Sequence, residues 1–61
     1  MFIINKKGEI FNTDCIRVIT VNPPHVLAVW DNTPRVISYT PEDIETIAGG
    51  IRNFKAYVEV N

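Results

Sequence analysis

The fold is decided between residues 14 and 39. Asp14-Cys15-Ile16-Arg17-Val18-Ile19-Thr20-Val21 is followed by Asn22-Pro23-Pro24, then His25-Val26-Leu27-Ala28-Val29-Trp30-Asp31, then Asn32-Thr33-Pro34, then Arg35-Val36-Ile37-Ser38-Tyr39. Cys15–Val21 is dense in β-branched residues, whose side chains suit a pleated surface, and predicts a strand. Asn22-Pro23-Pro24 stops it, because proline cannot donate to a ladder and biases the preceding residue toward extended geometry. His25–Asp31 predicts a second strand, Asn32-Thr33-Pro34 a turn and Arg35–Tyr39 a third strand. The segment is an antiparallel meander.

The first two of these strands are apolar on both faces. A sheet covered on one side alternates apolar and polar residues, so a doubly apolar pattern asks for a cover on each side. If the Asn22-Pro23-Pro24 loop closes a hairpin with Val21 facing His25, then Cys15, Arg17, Ile19, Val21, His25, Leu27 and Val29 share one face. Ile16, Val18, Val26, Ala28 and Trp30 share the other. One helix can cover only one of these faces, and the uncovered one is an apolar patch of the kind that marks an interaction surface.

Working outward, Phe2–Asn5 and Glu9–Asn12 predict a short hairpin around Lys6-Lys7-Gly8, at an edge of the sheet. Thr40-Pro41-Glu42-Asp43 supplies an N-cap hydroxyl, a proline at the first helical position and acids in the first turn. Tyr39 and Ile44 stand at the positions of a hydrophobic staple. A helix is predicted from Pro41 to about Lys55, with Ile44, Ile47, Ala48, Ile51 and Phe54 on one stripe. Gly49 and Gly50 each cost it about 1 kcal/mol relative to alanine. Residues 54–60 fit helix and strand periods equally. The fold class is α+β: an antiparallel β-meander of four to five strands, one C-terminal helix packed on one face, and a single domain spanning residues 1–61.

A chain of 61 residues buries only about 60% of the surface its unfolded form exposes. Typical stabilities give it about 3–9 kcal/mol in total. Small domains supplement a thin core with disulfides, a metal or association. Cys15 is the only cysteine and His25 the only histidine, which removes a disulfide framework and a structural zinc cluster. Homo-oligomerisation is the remaining device. A formal net charge of −1, with basic residues scattered along the chain, disfavours nucleic acid as a partner, since affinity for phosphate backbones rests on clustered Lys and Arg. The apolar start Met1-Phe2-Ile3-Ile4 is too short for a signal peptide or a membrane span, and with one unpaired cysteine the expected compartment is the cytoplasm.

No catalytic set is written here. Cys15 and His25 are the only candidates for a thiol-imidazole dyad. In the hairpin, however, Cys15 falls opposite Asp31, about six residues of strand from His25, on the order of 20 Å. Glu42, Asp43 and Glu45 complement the helix macrodipole, and no spacing matches a calcium or phosphate loop. The chain is not expected to be an enzyme and no cofactor is implied. The candidate interaction residues are Arg17, His25, Trp30, Arg35 and Tyr39. Trp, Tyr and Arg dominate binding energies at interfaces, His25 stands on the same face as Arg17, and Arg17 sits on an otherwise apolar face where it needs an acceptor. The reading is a non-enzymatic, homo-oligomeric binding module for another protein. The alternative is a pocket between subunits in which Arg17, Arg35, Trp30 or Tyr39 clamp an anionic or nucleotide-like ligand; a nucleic-acid-binding regulator stands third.

The layout of Phe2-Ile3-Ile4-Asn5-Lys6-Lys7-Gly8-Glu9-Ile10-Phe11-Asn12, two strands, and Tyr39-Thr40-Pro41-Glu42-Asp43 opening a C-terminal helix resembles small uncharacterised proteins of bacteriophages and mobile elements in Gram-positive bacteria. The resemblance covers most of the chain as an order of elements. It departs at Asn22-Pro23-Pro24 and Gly49-Gly50. It implies an accessory or inhibitory protein acting on a host or defence component, and it assigns no functional residue.

Overall fold

The computed structural model describes residues 1–61. Its elements, in chain order, are β1 (Phe2–Ile4), β2 (Ile10–Asn12), a single 3-10 turn (Thr13–Cys15), β3 (Ile16–Thr20), β4 (His25–Trp30), β5 (Thr33–Ser38), α1 (Pro41–Arg52) and β6 (Tyr57–Glu59). The architecture is α+β. Six strands form two three-stranded sheets, ordered β2-β1-β6 and β3-β4-β5, where one sheet of four to five strands was expected. No helix is long and apolar enough to cross a membrane.

The second sheet is the expected meander, with its turns displaced. Asp31 and Asn32 take φ of 53° and 58°, so they are the two central residues of a tight hairpin, and Trp30 pairs with Thr33. Asp and Asn tolerate the left-handed region better than other non-glycine residues. The turn therefore lies one residue earlier than Asn32-Thr33-Pro34, and Pro34 sits within β5, an edge strand, where its missing N–H is harmless. At the other end of β4, Thr20 rather than Val21 pairs with His25. The Asn22–Pro23 peptide is cis.

A bulge between Ile16 and Val18 changes the faces of β3. Ile16 pairs with Ala28 while Val18 pairs with Leu27, so β3 advances two residues for one of β4. Arg17 is the extra residue. The inward face consequently holds Ile16 and Ile19 with Val26 and Ala28, both fully buried. The outward face holds Val18 and Leu27. This exchanges Ile19 and Val18 relative to the simple hairpin, because one register step moves every side chain across the sheet.

The first sheet differs more from expectation. β1 is its central strand, antiparallel to β2 and parallel to β6. Ile3, paired with both Phe11 and Val58, is completely buried; the hairpin is core, not an edge appendage. Thr40 caps α1 by accepting a bond from the Asp43 N–H at 3.1 Å, as its sequence predicts. The helix packs on β6 and β3, with Ile44 and Ile47 fully buried.

The helix stops at Arg52, short of Lys55. Lys55 N–H donates to Gly50 C=O at 2.9 Å and Phe54 N–H to Ile51 C=O at 3.2 Å, the bond pair of a Schellman end. Phe54 occupies the left-handed position with φ 54° and is 94% exposed. It left the helical stripe because this turn sends the chain back as β6, where the tail's strand alternation buries Val58 and Val60. A left-handed conformation costs a non-glycine residue about 1–2 kcal/mol, and the exposed ring recovers little of it. Phe54→Gly is expected to raise stability by about 1 kcal/mol, read as a higher thermal midpoint; an unchanged or lower midpoint would show that the ring supports the fold.

Candidate interaction sites

Two surfaces stand out. The first is the outward face of the β3-β4-β5 sheet, where Val18, Leu27 and Val36 lie directly opposite one another across all three strands. Val29 pairs with Pro34 beside them. Val18 is 51% and Val36 67% exposed. Thr20, His25 and Ser38 complete the next row, so these two rows carry no Asp, Glu, Lys or Arg; Arg17, exposed on the bulge, adjoins Val18. Apolar side chains line up here because the doubly apolar pattern of β3 and β4 places half of its residues away from the helix.

The second surface is a cleft of about 660 Å³ between the two sheets. Ile10 and Phe11 of β2 line one side, and Trp30, Ile37 and Ser38 of the β4–β5 hairpin line the other. Tyr39 and Asp43 stand at its helical end, and Lys7 and Glu9 come from the β1–β2 turn. Asp43 is the one buried charged residue, 6% exposed, and its Oδ2 accepts the Asn61 N–H at 3.2 Å. Tyr39 is half-buried, and this burial, with Asp43 and Cys15 adding negative charge nearby, pushes its phenol up to about 12. Its hydroxyl stays neutral through physiological pH and can donate or accept.

The five residues singled out from the sequence separate into three places. Trp30 and Arg35 come together: the guanidinium lies 4.8 Å from the ring centroid, a cation–π contact. Both face inward, since Trp30 pairs with Thr33 and Arg35 with Ala28. Tyr39 shares the cleft with Trp30. His25 stands at the start of β4, and its Nδ1 bonds the Pro23 C=O at 2.8 Å, which places the proton on Nδ1. Arg17 is exposed on the bulge and donates to the Asp14 C=O at 3.1 Å. It is therefore not a charge stranded in an apolar face, and the acceptor it was expected to need lies three residues away.

Cys15 lies before β3, its thiol donating to the Asn12 C=O at 3.0 Å, while His25 pairs with Thr20 at the far end of that strand. Cys15 does not reach the position opposite Asp31, since Asp31 belongs to the turn. No group of three His, Cys, Asp or Glu side chains converges on one point.

Sequence reasoning missed Asp43, Val36 and Phe11 as site residues. Asp43 reads locally as a first-turn acid, and its contact with Asn61 joins residues 18 apart; the only local signal was one more carboxylate than capping needs. No protein-family model, curated protein or solved structure matches the chain.

Proposed function

We propose that the protein is a non-catalytic binding module that associates through the outward face of the β3-β4-β5 sheet, a second copy of the chain being its first partner. The observation that carries this reading is the uncharged row of Val18, Leu27 and Val36, half or more exposed at both edges. Two such faces can stack about 10 Å apart, as in a β-sandwich, with no charged residue in the rows that meet and with Arg17 exposed on the bulge beside them. Self-association also suits a fold in which 9 of 61 residues are buried, because a partner adds apolar burial that the short chain cannot supply. The resemblance to small phage and mobile-element proteins extends the reading to an accessory or inhibitory role on a host or defence protein in the cytoplasm.

Light scattering from about 1 μM to 1 mM tests it. The expected result is a mass that doubles with concentration, and a Val36→Glu chain whose association is weaker by about 10- to 100-fold, the effect of placing a carboxylate in an apolar contact. A chain that stays monomeric throughout, or a Val36→Glu chain that associates unchanged, would overturn it. Circular dichroism of Val36→Glu should match the parent, since position 36 is exposed.

A further inference from the structure

The cleft lies between two open strand edges. β2 ends one sheet and β5 ends the other. In the β4–β5 hairpin, the pair flanking the two-residue turn, Trp30 and Thr33, is hydrogen bonded, and alternation along an antiparallel ladder then turns the N–H and C=O of Val36 and Ser38 away from β4. Pro34 falls at the same outward phase, which agrees with its lacking an N–H. On β2, Asn5 N–H donates to Glu9 C=O at 3.1 Å. The next hydrogen-bonded pair is Ile3 with Phe11, so Ile10 between them presents its N–H and C=O outward. Ile10 and Ser38 both line the cleft.

The free edge of β5 has the length of a bound strand: it runs from Thr33 to Ser38, 6 residues, which span about 20 Å. The cleft meets that edge at Ile37 and Ser38. Its charged lining is Lys7 against Glu9 and Asp43. Glu9 already accepts from the Asn5 side chain at 2.8 Å. The Asp43 Oδ1 takes no hydrogen bond from the chain, although Oδ2 does, and no buried polar side-chain atom is left without a partner, so Oδ1 keeps contact with solvent, and Asp43 lines the cleft.

We infer that this cleft binds an extended peptide of about six residues, which pairs with the free edge of β5 and sets a Lys or Arg side chain against Asp43. The backbone groups of Val36 and Ser38 supply the pairing, as in other modes of strand addition. Trp30, Ile37 and Phe11 receive the apolar side chains that alternate along one side of the peptide. This site adjoins the outward sheet face at Val36 and Ser38, using their backbone groups where that face uses their side chains, so each can fail without the other.

The probe is a displayed library of random dodecapeptides panned against the intact chain, followed by synthesis of an enriched sequence. The expected peptide carries Lys or Arg within an alternating apolar run. N-methylation of its backbone nitrogens should lower affinity at least tenfold at every second position and little between. Asp43→Asn, which keeps the acceptor for Asn61, should weaken the peptide about tenfold, and replacing its basic residue by norleucine should abolish that difference. Val18→Glu, which disrupts the outward face, should leave peptide affinity unchanged. Absence of enrichment, affinity indifferent to the phase of N-methylation, or loss of binding in Val18→Glu with retention in Asp43→Asn would overturn the proposal.

Discussion

Ile47→Ala is expected to leave the chain close to, or past, the point of unfolding at room temperature. Ile47 is fully buried and belongs to one cluster with Ile3, Val58 and Val60. It therefore touches both the central strand of the first sheet and the tail strand that completes it. Removing three carbons from such a site costs about 2–5 kcal/mol, the transfer energy of the lost methylenes plus the cavity they leave. A chain of 61 residues has only about 3–9 kcal/mol to lose. Ile51→Ala provides the control: it lies on the same helical stripe but is 40% exposed, and its expected loss is below about 1.5 kcal/mol. Urea unfolding followed by circular dichroism separates the two, and equal losses would mean that the helix does not insert its Ile47 face between the sheets.

The second large effect is a reversal of sign between adjacent glycines. A Cβ at Gly49 meets nothing within 4 Å, so Gly49→Ala is expected to stabilise by about 1 kcal/mol, the helix propensity difference. At Gly50 a Cβ would stand 2.5 Å from Val58 Cγ1 and 2.7 Å from Met1 Sδ. The Met1 end can swing aside. Val58 cannot, because it is 6% exposed and held in β6 by pairing with β1. Overpacking of this kind costs about 1–3 kcal/mol, which exceeds the propensity gain, so Gly50→Ala is expected to destabilise. For domains of this size a change of 1 kcal/mol moves the thermal midpoint by about 4–8 °C. The two midpoints should lie on opposite sides of the parent's, and a stabilised Gly50→Ala would refute the close packing of α1 on β6.

Gly49-Gly50 shows how far the sequence could be read. Both glycines appeared as a shared weakness in a helix that continued in phase. Their difference rests on Val58 and Met1, which are remote in sequence and invisible to periodicity. The same holds for Phe54, whose spacing extended the helical stripe by one more turn. A hydrogen-bonded helix end at Gly50 and Ile51 overrode that spacing, and parallel pairing with β1 recruited the tail as a strand.

The candidate sites follow the same division. An uncovered apolar face was legible, because no single helix covers two faces of β3 and β4. Its membership was not, since the bulge at Arg17 exchanged Val18 for Ile19. Trp30 and Tyr39 were singled out by residue type and do line the cleft. The cleft itself was not foreseeable, because it is the space left between two sheets and the sequence suggested only one.

What the sequence alone determined is local: the cap at Thr40 and Pro41, the strands rich in β-branched residues, the breaks at Asn22-Pro23-Pro24 and around Asn32, and the α+β class that follows. Each depends on interactions spanning only a few residues. Tertiary structure alone decided the register of β3 on β4, the central place of β1, the conversion of the tail to β6 and the cleft between β2 and β5. Strands that are apolar on both faces gain from burial in either register, so the choice passes to the packing of distant elements, among them α1 against β6 and β3.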